Sequence, residues 1–99
     1  MTVKKNVNEM LGMIFSDPRY IEIICSLHER ELSIPEITAK TGDGTENISQ
    51  YLDNLVETNI VRTRVYDGED KFTITDTKIC ESVLMLKDSL YRVKSTLKH

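Results

Sequence analysis

The chain has 99 residues, 39% apolar and 29% charged, which allows one hydrophobic core of modest size and little room for a catalytic cleft between two lobes. No apolar run approaches the roughly 18 residues that span a bilayer, and the opening MTVKKNVNEM has lysines with no apolar stretch behind them, so membrane and secretory readings are set aside and a cytoplasmic address is expected. The net charge of −3 is uneven: residues 1–61 carry five basic and ten acidic side chains and residues 62–99 eight and six, so any phosphate-facing surface is expected to draw on the second part.

Val7, Met10, Leu11 and Ile14 recur at intervals of three and four, the spacing of an amphipathic helix ending near Phe15. Ser16-Asp17-Pro18 restarts the chain with a capping oxygen followed by proline at the first helical position. The buried stripe of this second helix is expected at Ile21, Ile24, Cys25 and Leu27, and Glu31-Leu32 reads as a short extended link. Ser33-Ile34-Pro35-Glu36 has the form of a capping box, opening a third helix that runs to about Lys40 and buries Ile34, Ile37 and Ala39.

Gly42-Asp43-Gly44 is a turn with freedom for positive φ, after which Thr45 is expected to cap a fourth helix. Ile48, Tyr51, Leu52, Leu55 and Val56 form its apolar face, leaving Glu46, Asn47, Ser49, Gln50, Asp53 and Asn54 outside, and Asn59 is placed to end it in a left-handed conformation. Residues 61–66 alternate in period two, Asp67-Gly68 is a strong hairpin signal, and residues 71–75 return. From Asp76 to about Leu97, the residues Ile79, Val83, Leu86, Leu90, Val93 and Leu97 alternate at spacings of four and three. So regular a seam suits a helix of a second chain, although packing against the chain's own core would also use it, and Leu84, Met85 and Tyr91 widen the apolar face.

This order is mainly α with a small β-hairpin (α+β): a winged helix-turn-helix of about five helices and a two-stranded wing. The chain resembles the ArsR-type winged-helix transcriptional regulators through FSDPRYIEIICSL in the second helix, ELSIPEIT in the third, and ENISQYLDNLVETNIVRTRVYDG across the fourth helix and wing. The resemblance covers about two-thirds of the chain and implies a homodimer built from the first helix (1–15) and last helix (76–99) around a winged-helix core (16–75), repressing a promoter through a palindromic operator. It does not extend to metal sensing: Ser33 and Pro35 stand where the metal-binding members have cysteines, Asp76-Thr77-Lys78 lacks the histidine of their other site, and His28 and His99 are isolated.

The expected partner is double-stranded DNA. Asn47, Ser49 and Gln50 are the candidate base-reading residues, since Asn and Gln can pair with adenine and Ser with any base edge. Thr45, Lys40, Arg62, Arg64 and Lys71 are the candidate phosphate and wing contacts, with Lys4, Lys5 and Arg19 behind them. Arg62 and Arg64 lie two apart on a strand and so point the same way. The plain alternatives are a solvated helix face and a solvated hairpin, because the fourth helix carries Glu46, Asp53 and Glu57 with no Lys or Arg, and Asp67, Glu69 and Asp70 bring residues 62–71 to zero net charge. A second function follows from those carboxylates: an acidic winged-helix module binding a protein partner within a transcription-related assembly.

Lys87, Arg92, Lys94 and Lys98 make the end of the last helix basic, which also suits its dipole. Cys25 and Cys80 are too few and too far apart for a disulfide framework or a metal knuckle. Some ArsR-type regulators sense oxidants or sulfide with one thiol on the second helix and one on the last, which makes this pair a candidate redox site beside the default of two inert core thiols. No Ser/His/Asp or Cys/His grouping and no phosphate-binding glycine loop points to an enzyme, and no cofactor is expected.

Overall fold

The computed structural model describes residues 5–42 and 44–96. Five helices and one hairpin follow in the order α1 (Val7–Ser16), α2 (Pro18–Ser26), α3 (Ile34–Thr41), α4 (Thr45–Glu57), β1 (Val61–Tyr66), β2 (Glu69–Ile74) and α5 (Thr77–Thr96). Local chemistry accounts for most boundaries. Asn6 and Glu9 form a capping box at α1, Asp17 caps α2 by accepting from the Arg19 amide with Pro18 behind it, and Ser33 and Glu36 form the box that opens α3. Gly42 ends α3 at φ 81°, and Asn59 takes φ 64° just past α4. Gly44, not Thr45, is the N-cap of α4, so Thr45 is the first helical residue. The α1 box was legible as Asn-x-x-Glu and was not part of the expectation.

β1 and β2 pair antiparallel in the register Val61↔Ile74 to Tyr66↔Glu69, closed by Asp67 and Gly68 with φ of 56° and 77°. Leu32 adds one bridge on the far edge of β2: its amide donates to the Phe72 carbonyl at 3.0 Å, and its carbonyl accepts from the Phe72 amide at 2.8 Å. The link between α2 and α3 thereby becomes a third, single-residue strand of the wing.

α2 packs against α1, α3, α4 and α5 and is the hub of the core. Tyr20, Ile23, Ile24, Leu27, Leu32, Ile37, Ile48, Leu52, Leu55, Ile60, Val61, Phe72, Ile74 and Cys80 are buried there. The expected stripe of α2 is thus corrected: Tyr20 and Ile23 are buried, while Ile21 and Cys25 are half-buried at its margin. A helix with neighbours on several sides buries a wider face than a single 3.6-residue stripe. Ala39 and Val56, expected inside, are exposed, because α3 turns Ile34 and Ile37 and α4 turns Ile48, Tyr51, Leu52 and Leu55 toward the core.

The extents of 54 × 31 × 22 Å follow from α5, whose 20 residues span about 30 Å. Cys80 and Val83 are buried, whereas residues 84–96 are exposed apart from half-buried Ser89. The regular apolar seam is therefore divided. Ile14 and Val83 belong to the chain's own core and Met10 and Ile79 pack against it, leaving little surface for a second chain. Val7, Leu11, Leu86, Leu90 and Val93 remain exposed, joined by Phe15. Between α1 and α5, Val7, Leu11, Phe15 and Leu86 line an apolar groove of about 390 Å³, and Leu90 and Val93 lie beyond it along α5. Leu97 lies outside the described residues.

Candidate nucleic-acid interface

α3, the turn at Gly42 and α4 form the helix-turn-helix, and the hairpin follows directly. Ile48, Leu52 and Leu55 anchor α4, which turns Glu46, Asn47, Gln50, Asp53 and Glu57 to solvent. Of the candidate base-reading residues, Asn47 and Gln50 are exposed and Ser49 is half-buried. Asn54, expected outside, is half-buried, and its Nδ2 donates to the Tyr20 hydroxyl at 2.7 Å. The Thr45 side chain, from which a phosphate contact is expected, lies outside the described residues, as do Lys4, Lys98 and His99.

The rotation of α4 about its axis is set from α2. The Tyr51 hydroxyl donates to Asp17 Oδ2, the Arg19 guanidinium donates to the Tyr51 oxygen at 3.2 Å, and the Tyr20 and Tyr51 rings meet edge to face at 4.8 Å. The hydrogen bond from Tyr51 and that from the Arg19 amide hold the Asp17 carboxyl below its ordinary range, and the same carboxylate raises the Tyr51 phenol.

The wing cations are engaged within the chain. Arg64 binds Glu31 through both Nε, at 2.8 Å to Oε2, and a terminal nitrogen, and its guanidinium also lies 5.1 Å from the Tyr66 ring centre. Lys71 Nζ is 3.0 Å from Glu36 Oε1 and 3.5 Å from Glu69. Arg62 reaches the Thr75 carbonyl at 3.4 Å. In the free chain, Glu31 of the link before α3 holds Arg64 and Glu36 of the first turn of α3 holds Lys71, so these two wing cations are paired within the chain. The Ser33 amide, Lys71 and the Ser33 hydroxyl together press the Glu36 carboxyl down to about 2, and its hydrogen bond from Arg64 lowers Glu31. Lys40 and Lys5 are exposed.

Cys25 and Cys80 sit on α2 and α5. Burial raises both thiols, Cys80 to about 11, and Cys80 Sγ donates to the Ile24 carbonyl at 3.1 Å. Neither is a ready thiolate at neutral pH. Among the described residues no group of three or more His, Cys, Asp or Glu is arranged to hold a metal, and no helix is long and apolar enough to cross a membrane.

A helix-turn-helix with an exposed polar recognition helix and an adjoining hairpin defines the winged-helix class of DNA-binding transcriptional regulators. No protein-family model matches the chain. It is 30% identical over 83 residues to the biofilm growth-associated repressor of Xylella fastidiosa strain 9a5c, spanning 82% of this chain and 73% of that protein. The repressor of that name from strain Temecula1 is 29% identical over 96 residues, spanning 95% and 81%. Among solved structures, the transcriptional repressor BigR from Xylella fastidiosa is similar with a TM-score of 0.69 at 30% identity over 94% of this chain and 96% of that one. The transcriptional regulator HlyU from Vibrio vulnificus CMCP6 is similar with a TM-score of 0.69 at 29% identity, covering 83% of each. The chain belongs to the ArsR-type winged-helix transcriptional regulators, and it is a regulator rather than an enzyme.

Proposed function

We propose that the protein is a DNA-binding repressor acting as a homodimer on a palindromic operator. The observation that carries this reading is the combination on one chain of an outward-facing Asn47 and Gln50 on α4 with an uncovered apolar surface on α1 and α5. Asn47 and Gln50 supply paired donors and acceptors for base edges, with half-buried Ser49 at their margin. Arg62, Arg64, Lys71, Lys40 and the Thr45 position supply phosphate contacts, and Val7, Leu11, Leu86, Leu90 and Val93 are covered by the second copy. Doubling is needed because α4 itself brings carboxylates, not cations, so each half-site is weakly held.

The repressor names of the relatives favour this reading over the protein-interaction module suggested by Glu46, Asp53 and Glu57. Fluorescence anisotropy with duplex DNA from upstream of the protein's own gene tests it. Binding is expected to exceed that to a scrambled duplex and to lose the excess in Asn47→Ala/Gln50→Ala. No salt-sensitive binding by folded protein at micromolar concentration overturns it.

A further inference from the structure

A cluster of ion pairs ties the wing to the link before α3 and to the first turn of that helix. Register sets Arg64 directly opposite Lys71, and like charges so placed destabilise a hairpin. Carboxylates compensate. Glu31 takes Arg64 in two hydrogen bonds, Glu36 takes Lys71 at 3.0 Å and Arg30 at 3.4 Å, and Glu69 lies 3.5 Å from Lys71. Three cations and three carboxylates sum to zero. The two-pronged grip on Arg64 has the geometry that a guanidinium uses on a phosphate.

We propose that Glu31 is an internal stand-in for a DNA phosphate: it holds Arg64 in a neutral resting pair, and operator binding exchanges the carboxylate for a backbone phosphate. This rests on the DNA-binding reading above. The pair is open to exchange, since the Arg64 side chain is 57% exposed and that of Glu31 30%, and exposed pairs hold weakly. Glu36 cannot take the same part. Its Oε1 also accepts from the Ser33 amide at 2.9 Å, closing the α3 capping box, so it stays with the helix. Glu31 has no such duty, and as a positioning residue it sets how much of the wing's charge reaches DNA.

The test compares wild type with Glu31→Gln by anisotropy on a duplex of about 30 base pairs from upstream of the protein's own gene and on a scrambled duplex, across a salt series. Glu31→Gln is expected to bind both about three- to fivefold tighter, with the slope of log affinity against log salt steeper by about one. A change in that slope is something a purely structural ion pair would not give. Arg64→Gln is expected to cost wild type little and to remove the whole gain in the Glu31→Gln background. Unchanged or weaker binding by folded Glu31→Gln overturns the proposal. Should that variant not fold, the Arg64 Nε–H resonance of wild type decides, shifting on addition of duplex if the exchange occurs and staying put if it does not. Wild-type binding with no gain in the variant rejects only this proposal, whereas no binding by either protein to either duplex rejects the DNA-binding reading and this proposal with it.

Discussion

The Tyr51 hydroxyl donates to the Asp17 carboxylate that caps α2 through the Arg19 amide at 3.0 Å, so one side chain both starts α2 and fixes the rotation of α4. Tyr51→Phe keeps the ring contact with Tyr20 and removes the hydroxyl's hydrogen bonds with Asp17 and Arg19. The expected result is a melting temperature lower by a few degrees near neutral pH, read by circular dichroism. The Asp17 carboxyl is held below its ordinary 3.8, chiefly by Tyr51. Its contribution is therefore present above that value and is lost as pH falls through the lower folded one. The difference between wild type and variant should accordingly shrink on acidification below about pH 4.

Glu36 gives a second pH prediction. Its folded carboxyl is depressed from 4.5 to about 2. The stability it contributes is complete above 4.5 and disappears between there and about pH 2. Urea midpoints of wild type should fall across that window, and those of Glu36→Gln, already lower at pH 7, should fall less.

The uncovered surface of α1 and α5 predicts the oligomeric state. Leu90 is 57% exposed and forms no part of the chain's own core. Leu90→Asp is expected to leave the circular dichroism spectrum unchanged and to convert a dimer into a monomer by light scattering, because an unpaired carboxylate in an apolar interface is costly. A folded monomer in the wild type would remove the dimer from the account.

The two thiols are expected to be slow. Cys80 should resist iodoacetamide at pH 7.5 until the protein is unfolded, and half-buried Cys25 should react only gradually, both read by mass spectrometry. Rapid modification of either in the native protein would favour the redox reading of this pair.

Features local in sequence were legible in the chain. Ser33 with Glu36, Asp17 with Pro18, Asp67-Gly68 and the left-handed Asn59 act within a few residues, and the structure has them as read. Periodicity found α5 but could not say what its apolar residues touch: Val83 and Leu86 belong to the same repeat, yet one is buried and the other exposed, because the chain's own core ends between them. The pairing of Glu31 with Arg64 and of Glu36 with Lys71 spans 33 and 35 positions and exists only once Leu32 has docked on Phe72. No spacing rule reaches that far. Tyr20 was missed in the same way, since its burial depends on Asn54 and Tyr51 of a helix about thirty residues later.

A homodimer on a palindromic operator would place its two α4 helices in successive major grooves. Hydroxyl-radical footprinting on the DNA upstream of the protein's own gene reads this arrangement. Two protected patches related by a dyad and centred about 34 Å apart are expected, both lost with Leu90→Asp. A single patch, or protection that survives in a monomeric variant, would contradict it.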